Sequence, residues 1–124
     1  MRNDKENIIV NLTFEFAKSV IIYTQQLELL KMFNLSNQLF RSGTSIGANV
    51  REAQNAESKN DFIHKIKIAA KEADETEYWL MLCRDSKNYP DCDELLTQIQ
   101  SIIKVISKII ASSKSSSNHQ IFKS

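Results

Sequence analysis

Apolar residues recur every three to four positions along most of the chain, the period of an amphipathic helix rather than of a strand. Between residue 7 and about residue 32, Ile9, Phe16, Val20, Tyr23, Leu27 and Leu30 fall on one seam, with Val10, Phe14, Ala17 and Ile21 beside it. This predicts a wide-striped first helix. Asn34 or Ser36 suits the N-cap of a second helix reaching about Ala56, with Leu35, Leu39, Ser42, Ile46, Val50 (or Asn49) and Ala53 facing inward. That inner face is small. Gly43 and Gly47 stand four apart on one side of it, and each weakens a continuous helix by up to ~1 kcal/mol relative to Ala. Such a pair belongs where another backbone comes close, unless the helix breaks at Gly43.

Ser58 followed by Asp61 is an imperfect capping box opening a third helix to Asp85 or Lys87. Its seam is Phe62, Ile66, Ala69, Ala73, Thr76, Leu80 and Cys83, and Asn88-Tyr89-Pro90 ends it. Asp91 or Asp93 can cap a fourth helix carrying acids in its first turn and Lys104, Lys108 and Lys114 toward its end, in keeping with the macrodipole. Cys92, Leu96, Ile99, Ile103, Ile106 and Ile110 form its first seam. Leu95, Ile102 and Ile109 form a second, more apolar width than one core-facing stripe requires. With Ile8, Phe14 and Ile21 of the first helix, that surplus predicts burial against copies of the chain, with Leu95, Ile102 and Ile109 as oligomer contacts.

Only 2 Gly and 1 Pro interrupt 124 residues, so the turns of a sandwich, barrel or doubly wound sheet are missing. The expected fold is all-α, an antiparallel up-down-up-down four-helix bundle over residues 1–111, with a mobile Ser-rich tail at 112–124. No run of ~18 apolar residues suggests a membrane span. The N-terminal stretch is polar and mixed in sign, unlike a secretory or transit segment, and Cys83 and Cys92 lack zinc or redox spacing. A cytoplasmic protein with two ordinary thiols is the expectation.

Candidate chemistry is sparse. Gly43-Thr44-Ser45-Ile46-Gly47 satisfies G-x-S-x-G, but no strand precedes it and the chain is too short for a hydrolase sheet. Asp61-x-x-His64 has the carboxylate-histidine spacing of di-iron bundles, but only once, and helices one and four offer no inward acid in mid-span. Neither a metal nor another cofactor is expected, nor is an enzyme. A helix-turn-helix reading of 35–50 would put Gln38, Ser42 and Asn49 where apolar residues must pack.

More coherent is the strip Arg41, Ser45, Asn49 and Glu52 on the second helix. Facing Lys71, Glu72, Glu75 or Thr76 of the third, it would fix helix register, with a functional groove as the alternative. The net charge is only +1, and each segment is nearly balanced. Within the third helix, Lys59, Lys65, Lys67 and Lys71 precede Glu72, Asp74, Glu75 and Glu77. In a ring of subunits these lysines would repeat and could contact the phosphates of RNA or DNA; a solvated helix face is the plainer reading.

The run Arg41-Ser42-Gly43-Thr44-Ser45-Ile46-Gly47-Ala48-Asn49-Val50-Arg51-Glu52-Ala53 is followed by Asp61-Phe62-Ile63-His64-Lys65 and by Lys71-Glu72-Ala73-Asp74-Glu75-Thr76-Glu77-Tyr78-Trp79-Leu80. Together they resemble the four-helix-bundle proteins encoded in intervening sequences of bacterial large-subunit ribosomal RNA genes. The resemblance runs from Phe14-Glu15-Phe16-Ala17 through the fourth helix. It implies an antiparallel bundle assembled into a ring, a pentamer, with Arg41, Ser45, Asn49, Glu52, Glu72 and Thr76 as family-typical polar residues of no assigned reaction. It supplies a genetic location and a fold but no activity; a non-enzymatic scaffold for RNA or an RNA-handling partner is the leading reading. More distantly, the chain resembles the accessory bundle of diversity-generating retroelements. That likeness implies the alternative of a nucleic-acid-binding subunit beside a reverse transcriptase, although the near-neutral charge makes any such binding weak, highly salt-sensitive or absent.

Overall fold

A computed structural model describes the backbone of residues 7–123 and the side chains of residues 8–114. Four helices follow one another: α1 (Asn7–Leu29), α2 (Phe33–Gln54), α3 (Lys59–Asp85) and α4 (Asp93–Lys123). Each packs on the next in sequence and α1 closes against α4, giving the expected all-α up-down-up-down bundle. Between residues 9 and 106, twenty buried apolar side chains form one core, among them Phe16, Leu27, Leu39, Ile46, Ile66, Leu80, Ile99 and Ile106.

The links explain where the helices stop. At the end of α1 the Met32 N–H reaches the Leu27 carbonyl and the Lys31 N–H the Glu28 carbonyl, both at 2.9 Å. This double closure needs a left-handed residue, and Lys31 supplies it with φ 62°. Leu30, expected on the core seam, therefore lies beyond the helix and is exposed. The expected caps Asn34 and Ser36 are not used: α2 begins at Phe33, and Met32 holds the cap position without a side-chain bond. Ser36 instead donates from a buried hydroxyl to the Thr24 carbonyl at 3.1 Å, tying α2 to α1. Ser58 does cap α3, accepting the Asp61 N–H at 3.1 Å. Cys92 precedes α4, its carbonyl receiving the Leu96 N–H at 2.9 Å, so neither Asp91 nor Asp93 holds that position.

α2 runs unbroken through Gly43 and Gly47, and the reason lies on α1. A Cβ at Gly43 would stand 2.9 Å from Val20 Cγ2, and one at Gly47 3.4 Å from the Thr13 carbonyl. The two backbones approach this closely because Ser36 and both glycines offer little bulk.

α4 differs from expectation on its second seam. Leu95 and Ile102 are buried in the chain's own core, and Ile109 is half-buried against it. The helix meets α3 on one side and α1 on the other, so it needs the wider stripe for a single bundle. These three residues are therefore not free oligomer contacts. Asp93–Lys114 is long and apolar enough by composition to cross a membrane, yet Ile99, Ile102 and Ile106 are buried in the bundle and Lys104 and Lys108 face outward. The helix continues past residue 111 without a break, and most of the expected tail, from 115 on, lies outside the described side chains.

The two glycines predict opposite outcomes. Gly43→Ala drives a methyl into Val20, which is fully buried and stiff at χ1, and should lower unfolding stability by about 1–3 kcal/mol. Gly47→Ala makes only an ordinary contact and should raise stability by up to ~1 kcal/mol through helix propensity. Urea denaturation of both variants checks the pair.

Candidate functional site

The strip expected on α2 is split among three tasks. Arg41, on the exposed edge of the α2–α3 seam, donates to Glu72 at 3.3 Å and also to Glu75 and Gln38. Glu75 accepts a second bond at 3.0 Å from the indole N–H of Trp79, whose ring stands edge-on to Tyr78 at 5.3 Å. One guanidinium thus bridges two carboxylates a helical turn apart and holds α2 against α3. At the other end of the strip, Lys65 Nζ lies 3.8 Å from Glu52 Oε1. The two bridges thus lie at separate points along the antiparallel α2–α3 seam.

Ser45 and Asn49 do not join this network. The Ser45 hydroxyl donates to the Arg41 carbonyl at 2.6 Å and the Asn49 amide to the Ser45 carbonyl at 2.9 Å, both within α2. One layer deeper, the Thr76 hydroxyl is hydrogen-bonded to the Ser42 hydroxyl at 2.9 Å and to the Glu72 carbonyl at 2.7 Å. Both side chains are fully buried, so this pair is a polar pin inside an apolar core. Of the expected residues, Arg41 and Glu72 therefore form one cluster, Thr76 sits beneath it, and Glu52 belongs to a second.

A shallow cavity of about 460 Å³ lies at that second cluster, where α2 turns into α3, lined by Glu52, Asn55, Glu57, Asp61, His64 and Lys65 among others. Asp61 and His64 share this rim one helical turn apart. Among the described residues, no group of three or more His, Cys, Asp or Glu side chains is arranged to hold a metal ion. The four lysines are not one patch either. Lys65 is engaged by Glu52 and Lys59 stands at the helix start, whereas the exposed Lys67 and Lys71 lie four residues apart, with His64 three before Lys67.

Two further features lie away from the polar strip. On the outer edge of the α1–α2 pair, Phe14 and Ile21 of α1 and Phe33 and Phe40 of α2 are exposed, by 60%, 39%, 53% and 47%. Each pair is seven residues apart and so lies along one helix face. The exposed Phe14 and Ile21 were legible as surplus; Phe33 and Phe40 could have been found from the same spacing, opposite the small-residue seam. The second feature is a buried trio. Tyr23 donates to the Pro90 carbonyl at 2.7 Å, Cys92 donates to the Leu80 carbonyl at 3.4 Å, and Cys83 lies beside them. Burial pushes the Cys83 thiol up to about 11 and raises Tyr23 and Cys92 as well.

Residues 5–111 match the family described as 23S rRNA-intervening sequence protein. A crystal structure of a protein of unknown function from the S23 ribosomal protein family of Bacteroides thetaiotaomicron is 40% identical, with a TM-score of 0.78, over 83% of this chain and 98% of that one. No curated protein matches.

Two predictions follow from these contacts. Thr76→Val keeps the volume but strands the Ser42 hydroxyl, and should cost about 1–3 kcal/mol, whereas Arg41→Ala, at an exposed bridge, should cost about 1 kcal/mol or less. Chemical denaturation separates them. The buried thiol is an acid whose folded pKa lies above its unfolded value near 9, so its contribution is complete below that pH and is lost as pH rises through about 11. Stability should fall between pH 9 and 11, and Cys83→Ala should flatten that slope.

Proposed function

The chain belongs to the 23S rRNA-intervening sequence protein family, and from that premise we propose that it is a non-enzymatic scaffold that assembles with copies of itself. The reading gives it a ring of five subunits in the cytoplasm, in contact with RNA or an RNA-handling partner. The observation that carries the assembly is the outer α1–α2 edge. Phe14 and Ile21 on α1 and Phe33 and Phe40 on α2 are large and exposed, two turns apart on each helix, along the flank of the pair that meets at Gly43 and Gly47. An apolar strip of this kind marks a protein interface more often than a bare surface. It replaces Leu95, Ile102 and Ile109 in that role, since Leu95 and Ile102 are buried in the protomer and Ile109 is half-buried.

The polar strip supports a structural role over a chemical one. Its hydrogen bonds are satisfied within the α2–α3 pair, and Arg41 is already held by two carboxylates. RNA contact rests on Lys67 and Lys71, which are exposed and would recur around a ring. With a net charge of +1, the affinity is weak and steeply salt-dependent.

Light scattering on the wild-type protein at micromolar concentration should give an oligomeric mass, and Phe14→Asp with Phe40→Asp should give helical monomers. A wild-type monomer overturns the reading. Titration with structured RNA at low salt should show binding that falls when Lys67 and Lys71 are both changed to Ala; no retention at low salt removes the RNA half of the proposal.

A further inference from the structure

The trio at the α3–α4 turn has no part in the scaffold reading, yet it places the two thiols of the chain in one buried chamber. Cys83 ends the inner seam of α3, and Cys92 precedes α4 on the far side of the turn, nine residues on. Cys92 Sγ lies 3.4 Å from the carbonyl of Leu80, one helical turn before Cys83 on the same seam. The Tyr23 ring from α1 closes the chamber, its hydroxyl fastened to Pro90 within the turn itself. All three side chains are at most 4% exposed.

We infer that Cys83 and Cys92 form a modification site, an intrachain disulfide made by exchange with a low-molecular-weight disulfide such as oxidised glutathione. The thiolate of one cysteine attacks the glutathione disulfide, forming a mixed disulfide and releasing one glutathione thiolate. The second cysteine then attacks the protein sulfur of that mixed bond and releases the other. Two protein thiols are oxidised, one glutathione disulfide is reduced, and the two protons pass to the departing thiolates.

Burial favours this end point over a stable adduct. A tripeptide attached to either sulfur does not fit among Tyr23, Leu80 and Pro90, whereas a bond between the two sulfurs expels it and lets the chamber close. Burial also governs the rate. The thiols are shielded and held protonated, so exchange needs opening of the turn and speeds up as pH rises toward the thiol range. Once made, the bond staples α3 to α4 and restricts the unfolded chain.

The test treats the native full-length protein with oxidised glutathione near pH 9 and reads intact mass and peptide maps without reduction. Expected are the loss of two hydrogens per chain, one cross-linked pair containing Cys83 and Cys92, slower reaction at neutral pH, and a thermal midpoint raised by roughly 5–15 °C. Cys83→Ser and Cys92→Ser should each show no loss of two hydrogens, no cross-linked pair and no rise in the midpoint. Glutathione retained on both cysteines, cross-links between chains, or both thiols unchanged near pH 9 would overturn the inference.

Discussion

The approach of α2 to α1 is the constraint on which the rest of the molecule depends. Ser36, Gly43 and Gly47 give α2 one face with little side-chain volume toward α1, where Val20 fills the space a methyl on Gly43 would need and Thr13 lies close to Gly47. A helix packed this closely by its small face has its bulkier residues displaced to the flanks. On the inner flank, Leu39, Ile46 and Val50 enter the core; on the outer flank, Phe33 and Phe40 stay exposed, as do Phe14 and Ile21 of α1. The same contact that completes the bundle thus leaves those four large side chains exposed.

The α2–α3 seam is held differently, by polar groups at graded depth. Ser42 and Thr76 pair where water is excluded, Arg41 bridges Glu72 and Glu75 at the edge, and Lys65 meets Glu52 farther along. Buried hydrogen-bonded pairs discriminate strongly against misregister because a slipped partner leaves a polar atom stranded, whereas exposed ion pairs add little energy. The deep pair therefore fixes the register and the surface bridges follow it. In this arrangement donors and acceptors engage one another, so the conspicuous motif along α2 clamps it to α3.

Much of this was readable from spacing. The core positions of α2 and α3 follow from the three-four alternation, and the close-contact role of Gly43 and Gly47 follows from their separation on an otherwise helical segment. The turn after α1 was less legible because Lys31, not glycine, takes the left-handed position, and so Leu30 was carried one turn too far. Ser36 looked like a cap since its residue type suits one, but a buried carbonyl on α1 competes for the same hydroxyl. The second seam of α4 misled for a geometric reason: a period reveals how wide an apolar arc is, not how many neighbours share it. Ser45 and Asn49 sit on the right strip, and only coordinates reveal that they bond to their own helix.

The central claim is that close α1–α2 packing creates an edge that another copy of the chain covers. Replacing Phe40 with a photoreactive benzoyl-phenylalanine and irradiating the purified protein tests it most directly. The account predicts covalent joining of two chains, with the attachment mapping to α1 or α2 of the second copy. Attachment confined to the same chain, or to solvent, at concentrations where the protein is otherwise well behaved would contradict it.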